Sequence, residues 1–168
     1  MKTKKKTKKT ARKKLESLAK IRRRLMRLWT AKVHTLHGGM CAICGKVHGV
    51  VDPTTGKPSY MNAHHIEPRA TCARLRYDVM NGILLCPSCH KFGRNSAHKG
   101  AIWFVTWLQN HRRTQYEYVL KNRDEVVNIN DREYLSKVEA SLKAEATPEE
   151  KELFSYKGNQ NGSESNKS

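Results

Sequence analysis

The sequence predicts an α+β fold. At its centre is a small core of two short strands and a short helix, stapled by paired cysteines. A basic helix precedes this core and further helices follow it. Apolar residues recur at three- and four-residue steps on either side of the middle of the chain, the mark of amphipathic helices. Between them, residues 40–90 hold short apolar runs broken by Gly, Pro and Asn, and four cysteines in two Cys-x-x-Cys pairs. A length of 168 residues suits one domain with tails.

The formal charge of +18 and a pI near 10 set the chain against a polyanion, nucleic acid first and an anionic membrane surface second. The charge is uneven. Residues 1–36 hold fifteen Lys and Arg against Glu16 alone, residues 37–123 twelve against four acids, and residues 124–168 six against ten. The first ten residues are mostly Lys and Thr with no apolar run after them, which is not a signal peptide. No stretch approaches the roughly 18 apolar residues of a membrane span. A cytoplasmic, reducing setting is therefore expected, where paired Cys-x-x-Cys motifs favour metal over disulfide.

Residues 1–11 have nothing to bury and are expected to form a disordered basic arm. A basic amphipathic helix is expected over 12–37, with Leu15, Leu18, Ile21, Leu25, Leu28, Trp29, Val33 and Leu36 on its apolar side and Gly38-Gly39 to stop it. Its polar face carries Lys20, Arg22, Arg23, Arg24 and Arg27. Such a face can simply be solvated, but this density of one-signed charge favours phosphate contact. Tyr60 to Ile66 reads as a strand, Pro68 to Met80 as an excursion loop and Gly82 to Leu85 as a second strand. Pro87 suits the first turn of a helix bearing Cys89 and His90. Ser96 is a candidate N-cap for a helix from Ala97 to about Asn110, with Ile102, Val105 and Leu108 on one side and Trp103, Phe104 and Trp107 beside them. The aromatic cluster reads as core before it reads as a base-stacking surface. Thr114 is a candidate cap for a following helix, and Asp131 begins another within 124–146. Residues 147–168, rich in Glu and Lys and then Gly, Asn and Ser, are expected to be a disordered tail.

Cys41, Cys44, Cys86 and Cys89 offer four thiolates, the set that closes a tetrahedral structural zinc site. The length of the intervening loop is no obstacle, because the entropy cost of closure grows slowly with length and metal binding more than offsets it. Cys72 is left over, as a buried apolar residue or an idle thiol. Imidazoles are common ligands and general bases of hydrolytic sites. Successive side chains of a strand point to opposite faces, so His64 and His65 cannot do the same job.

His64-His65, then Asn81, then His90 inside Cys-Pro-Ser-Cys-His resembles the HNH endonuclease family with its ββα-metal fold, over about Cys41 to His90. The basic extension and the stretch Leu75-Arg76-Tyr77-Asp78 are most similar to small phage-encoded members, which would act in the host cell cytoplasm. The resemblance implies a nuclease domain over 38–123 that cuts DNA by hydrolysing phosphodiester bonds with one divalent ion, leaving a 5′-phosphate and a 3′-hydroxyl. It places His64 and His90 on the catalytic metal and makes His65 the general base. Asn81 would hold the loop that orients that histidine. Some members carry a third ligand four residues after the last histidine, where this chain has Arg94, which cannot ligate. Asn95 or His98 could serve instead, His98 being the better donor. If water fills the position, Mg²⁺ or Mn²⁺ is favoured, with Ni²⁺ or Zn²⁺ the alternatives. Arg69 and Arg76 would neutralise the scissile phosphate or contact the DNA backbone. Two rival readings remain: a non-catalytic zinc module that binds DNA through its basic arm, and a structure-selective nuclease of recombination intermediates.

Overall fold

The computed structural model describes residues 15–51, 53 and 56–156. The expected basic arm at 1–11, the first residues of the expected first helix and the end of the expected tail lie outside them. Helix α1 spans Leu18–Leu36, with the Ser17 hydroxyl accepting from the Lys20 amide as N-cap. Ile21, Leu25, Trp29, Val33 and Leu36 form its buried stripe, whereas Leu15 stands exposed before the helix begins. Gly38 and Gly39 both take positive φ and end it, as the sequence indicates.

The centre is a two-stranded antiparallel sheet, β1 (Asn62–His65) against β2 (Gly82–Leu85), in the register His64 opposite Ile83 and His65 opposite Gly82. Strand β2 is buried throughout and α1 packs across the sheet. A Cβ on Gly82 would strike the Val33 side chain and lie 3.1 Å from the Trp29 ring, so glycine here lets α1 approach closely. The link between the strands holds two 3-10 turns, Arg74–Tyr77 and Val79–Asn81. After β2 the chain makes a single π-helical turn, Ser88–Phe92, in place of a regular α-helix. Pro87 sits at its N-cap position, and a Cβ on Gly93 would meet the Ser88 carbonyl oxygen at 2.8 Å, so glycine permits the wide turn to close. Two short strands, a short helical turn and flanking helices make the mixed α+β architecture that the sequence predicts.

The later helices are α2 (Ala101–His111), α3 (Arg113–Asn122), α4 (Arg132–Lys143) and α5 (Pro148–Phe154). Three expectations need correction here. Ser96 does not cap α2. It is buried, its hydroxyl accepts from the Lys99 amide, and α2 starts four residues later than expected. Along α2, Leu108 is buried and Ile102 is 86% exposed, and Phe104 and Trp107 lie in the core, as the reading of the aromatic cluster expects. Thr114 lies inside α3, which has no side-chain cap. Disorder from position 147 fails for Pro148–Phe154. There the Thr147 and Glu150 side chains form a capping box, and Phe154 is fully buried with its ring 5.3 Å from that of His37. Asp131 caps α4 as anticipated.

Candidate functional site

Cys41, Cys44, Cys86 and Cys89 converge, with their sulfur atoms all within 4.8 Å of one another. Cys44 and Cys86 Sγ are 3.7 Å apart. Two sulfurs on one tetrahedral zinc, at bonds of about 2.3 Å, stand roughly 3.8 Å apart. The cluster therefore fits a zinc ion closely. It joins the turn after α1 to the end of β2 and the π turn, since Ala42 N–H donates to Leu84 O and His90 N–H to Cys86 O. Cys72 lies elsewhere, buried beside Leu75 and Val119.

A second cluster consists of His64, His90 and His98, whose ligating nitrogens also lie within 4.8 Å of one another. His90 and His98 Nε2 are 3.2 Å apart. Two nitrogens sharing an ion at bonds of about 2.0–2.1 Å are separated by roughly 3.0–3.4 Å, so this set too fits a metal. His98 arrives because α2 starts late. Residues 93–100 loop back, and His98 N–H donates to His90 O at 3.2 Å. The Phe104 ring covers His64 at 5.6 Å. Burial, then the neighbouring His90 and His98, pulls the His64 pKa down to about 3, and burial lowers His90 as well. Both are thus neutral at physiological pH, with lone pairs to offer.

His65 points the other way from β1. Its ring stacks on that of Trp29, centroids 3.9 Å apart and planes 13° from parallel. Its Nε2 is 2.9 Å from the Arg76 carbonyl oxygen. A carbonyl only accepts, so Nε2 carries the proton and Nδ1 of the neutral ring keeps a lone pair. Burial lowers its pKa from the ordinary 6.5, against the opposing pull of the Arg76 carbonyl.

The segment that presents this carbonyl is pinned from three sides. Asn81, with no exposed surface, accepts from Glu67 N–H at 2.7 Å and donates to Glu67 O and Leu75 O. Asp78 accepts from Arg74 and from the Tyr118 hydroxyl, each at 2.8 Å. Trp29 Nε1 donates to Asp78 O at 2.9 Å.

The basic side chains divide. Arg23 and Arg27 are exposed and paired with no acidic group among the described residues, and Lys20 is exposed near Glu16. Arg22, Arg23, Arg69 and Arg76 line a groove of about 410 Å³ between α1 and the 69–77 segment. Arg24, by contrast, is fully engaged: it binds Glu16 at 2.7 Å and Glu139 at 2.8 Å and ties α1 to α4. Arg22 is largely engaged too, donating to Ile129 O and Asn130 Oδ1. Partners before α1, on α4 and on the loop before α4 thus take up donors of Arg24 and Arg22 that the sequence reading assigned to phosphate. Sequence reasoning missed Trp29, read as plain core, and the Arg76 carbonyl, for which a sequence holds no signal.

Residues 41–93 match the family model described as HNH endonuclease. The match covers about a third of the chain and shows a likeness of this segment to HNH endonuclease domains, a family of metal-dependent nucleases that act on DNA. Trp29, His98, Phe104 and the later helices all lie outside the matched residues. No curated protein and no solved structure matches the chain. No helix among the described residues is long and apolar enough to cross a membrane.

Proposed function

We propose that the chain is a metal-dependent DNA endonuclease in which His65 is the general base. The observation that carries this reading is the division of labour between adjacent histidines. His64 turns to His90 and His98, while His65 turns away, its Nε2–H fixed on the Arg76 carbonyl and Nδ1 left as the acceptor. A water attacking phosphorus gives its proton to Nδ1. The new oxygen–phosphorus bond forms as the bond to the 3′ oxygen breaks, and that oxygen takes a proton from solvent. The products are a 5′-phosphate and a 3′-hydroxyl. Asn81 acts at one remove, holding the 67–81 segment whose carbonyl fixes the tautomer of His65.

His64, His90 and His98 would hold the catalytic ion. Such an ion, when bound, supplies charge stabilisation to the phosphate and the leaving oxygen. Three imidazoles without a carboxylate suit Zn²⁺ or Ni²⁺ better than Mg²⁺, which prefers oxygen donors. With His98 in place of water, the preference expected from the sequence for Mg²⁺ or Mn²⁺ is revised. Cys41, Cys44, Cys86 and Cys89 would hold a structural zinc. Arg23, Arg27, Arg69, Arg76 and Lys20 supply the phosphate-contacting charge.

The test is cleavage of supercoiled, linear and branched DNA by the zinc-loaded protein with Mg²⁺, Mn²⁺, Ni²⁺ or Zn²⁺ added. Cleavage should be strongest with Ni²⁺ or Zn²⁺, and ligase should reseal the products. Robust cleavage with Mg²⁺ that is indifferent to His98→Ala would refute the three-imidazole site. A preference for branched DNA would identify a structure-selective enzyme. DNA binding without cleavage under any metal would leave a zinc-stabilised binding module.

A further inference from the structure

Helix α1 lies wholly before the HNH-matched residues, yet its Trp29 reaches into the catalytic machinery at two points. The indole plane covers one face of the His65 ring at 3.9 Å. The indole N–H donates to Asp78 O, two residues beyond the Arg76 carbonyl that holds His65 Nε2. One side chain thus touches both the ring of the proposed base and the backbone segment that fixes its tautomer. Trp29 is itself held: it is 1% exposed, on a helix pressed against β2 where Gly82 leaves no side chain in the way. An imidazole can rotate about its Cβ–Cγ bond, and that torsion is broad for such rings. One hydrogen bond through Nε2 does not fix the ring plane, whereas a stacked indole does.

From this geometry we propose that Trp29 is a positioning residue for the nuclease reaction, bracing His65 so that Nδ1 faces the attacking water. The proposal rests on the reading of His65 as general base. It makes α1 part of the active enzyme, beyond any contribution of its arginines to DNA binding. It also makes the HNH-matched segment insufficient by itself for full turnover.

The test is a double-mutant cycle on the full chain, read as single-turnover cleavage of plasmid DNA at saturating protein. Circular dichroism, zinc content and DNA affinity are measured alongside. Trp29→Leu keeps the apolar character and removes the flat face, and should lower the cleavage rate roughly tenfold or more with DNA affinity unchanged. Trp29→Phe restores a ring without the N–H and should recover most of that loss. In a His65→Ala background, Trp29→Leu should cost nothing further, because the group it positions is gone. An equal loss in both backgrounds would mean a general effect on the fold and would overturn the proposal. So would a folded Trp29→Leu protein cleaving at the wild-type rate while His65→Ala is impaired. Wild-type cleavage by His65→Ala would sink the general-base reading itself. Should Trp29→Leu not fold, NMR of the wild-type imidazole decides. Its ring protons should be shifted upfield by the indole and its Nε2 protonated, and unstacked shifts would refute the brace.

Discussion

Asn81 has no exposed surface, and its amide makes three hydrogen bonds, to Glu67 N–H, Glu67 O and Leu75 O. Replacing it by Ala takes the partner from two part-buried backbone groups, Glu67 N–H and Glu67 O, while Leu75 O keeps the Asp78 amide, and each group left unsatisfied costs about 1–3 kcal/mol. Asn81→Ala should therefore melt well below the wild type and cleave poorly even when cooled enough to fold. Unchanged melting by calorimetry would contradict the anchoring role. At this scale much of the candidate site was legible in the sequence. His64, His65, Asn81, His90 and the four cysteines are residue types with few structural uses at such spacing, and the structure gathers the cysteines, brings His64 to His90, and sets His65 and Asn81 on the backbone of residues 67–76. His98 was legible only as one of two candidates, because its approach depends on a loop closed by backbone bonds such as Ala97 N–H to Cys89 O. Trp29 was hidden by its own helix. An aromatic residue in an apolar stripe is read as core, and nothing in the stripe reveals that a histidine ring lies against it.

Among the elements, α1 and α4 are joined by Arg24, held between the carboxylates of Glu16 and Glu139. Arg24, and then Lys143, hold the Glu139 carboxyl down to about 2 from an ordinary 4.5. A carboxyl so depressed contributes stability that is complete above about 4.5 and is lost as pH falls toward 2. Melting temperatures of wild type and Glu139→Gln should thus differ at pH 6 and converge near pH 2, with the difference shrinking in high salt because the groups are near solvent. A gap that persists unchanged at pH 2 would reject the ion pair as its source. Helix α5 makes a second prediction. Phe154→Ala should cost roughly 3–5 kcal/mol, the range for a fully buried aromatic, and denaturant unfolding measures it directly. A shift within error would mean that α5 does not dock. Helix-forming periodicity made α1 and α4 legible. The acidic composition around 147–152 obscured α5, although Thr147-Pro148-Glu149-Glu150 carries its start signal. The true start of α2 was illegible because Ser96 is engaged by a turn, which a serine's identity does not disclose.

For the whole molecule, the four-cysteine cluster ties the turn after α1 to β2 and the π turn, so zinc removal should unfold the domain and not merely slow it. Circular dichroism after verified metal stripping, or of Cys86→Ser, should show loss of the cooperative transition, and a native spectrum would reject the structural role. The charge distribution gives a second molecular prediction. Residues 1–14 carry nine Lys and Arg and none of the proposed catalytic groups. Deleting them should weaken DNA binding and flatten its salt dependence, by about 0.9 in log–log slope for each phosphate that the arm neutralises, while turnover at saturating DNA holds. Equal slopes in a salt titration would show that this arm does not touch DNA. The most direct measurement of the proposed mechanism is single-turnover cleavage by His65→Ala beside wild type, with zinc content and DNA affinity matched. A general base contributes at least about a hundredfold, so the variant should bind DNA normally and cleave roughly a hundred times more slowly or worse. Cleavage at the wild-type rate would remove His65 from the reaction and contradict the mechanism.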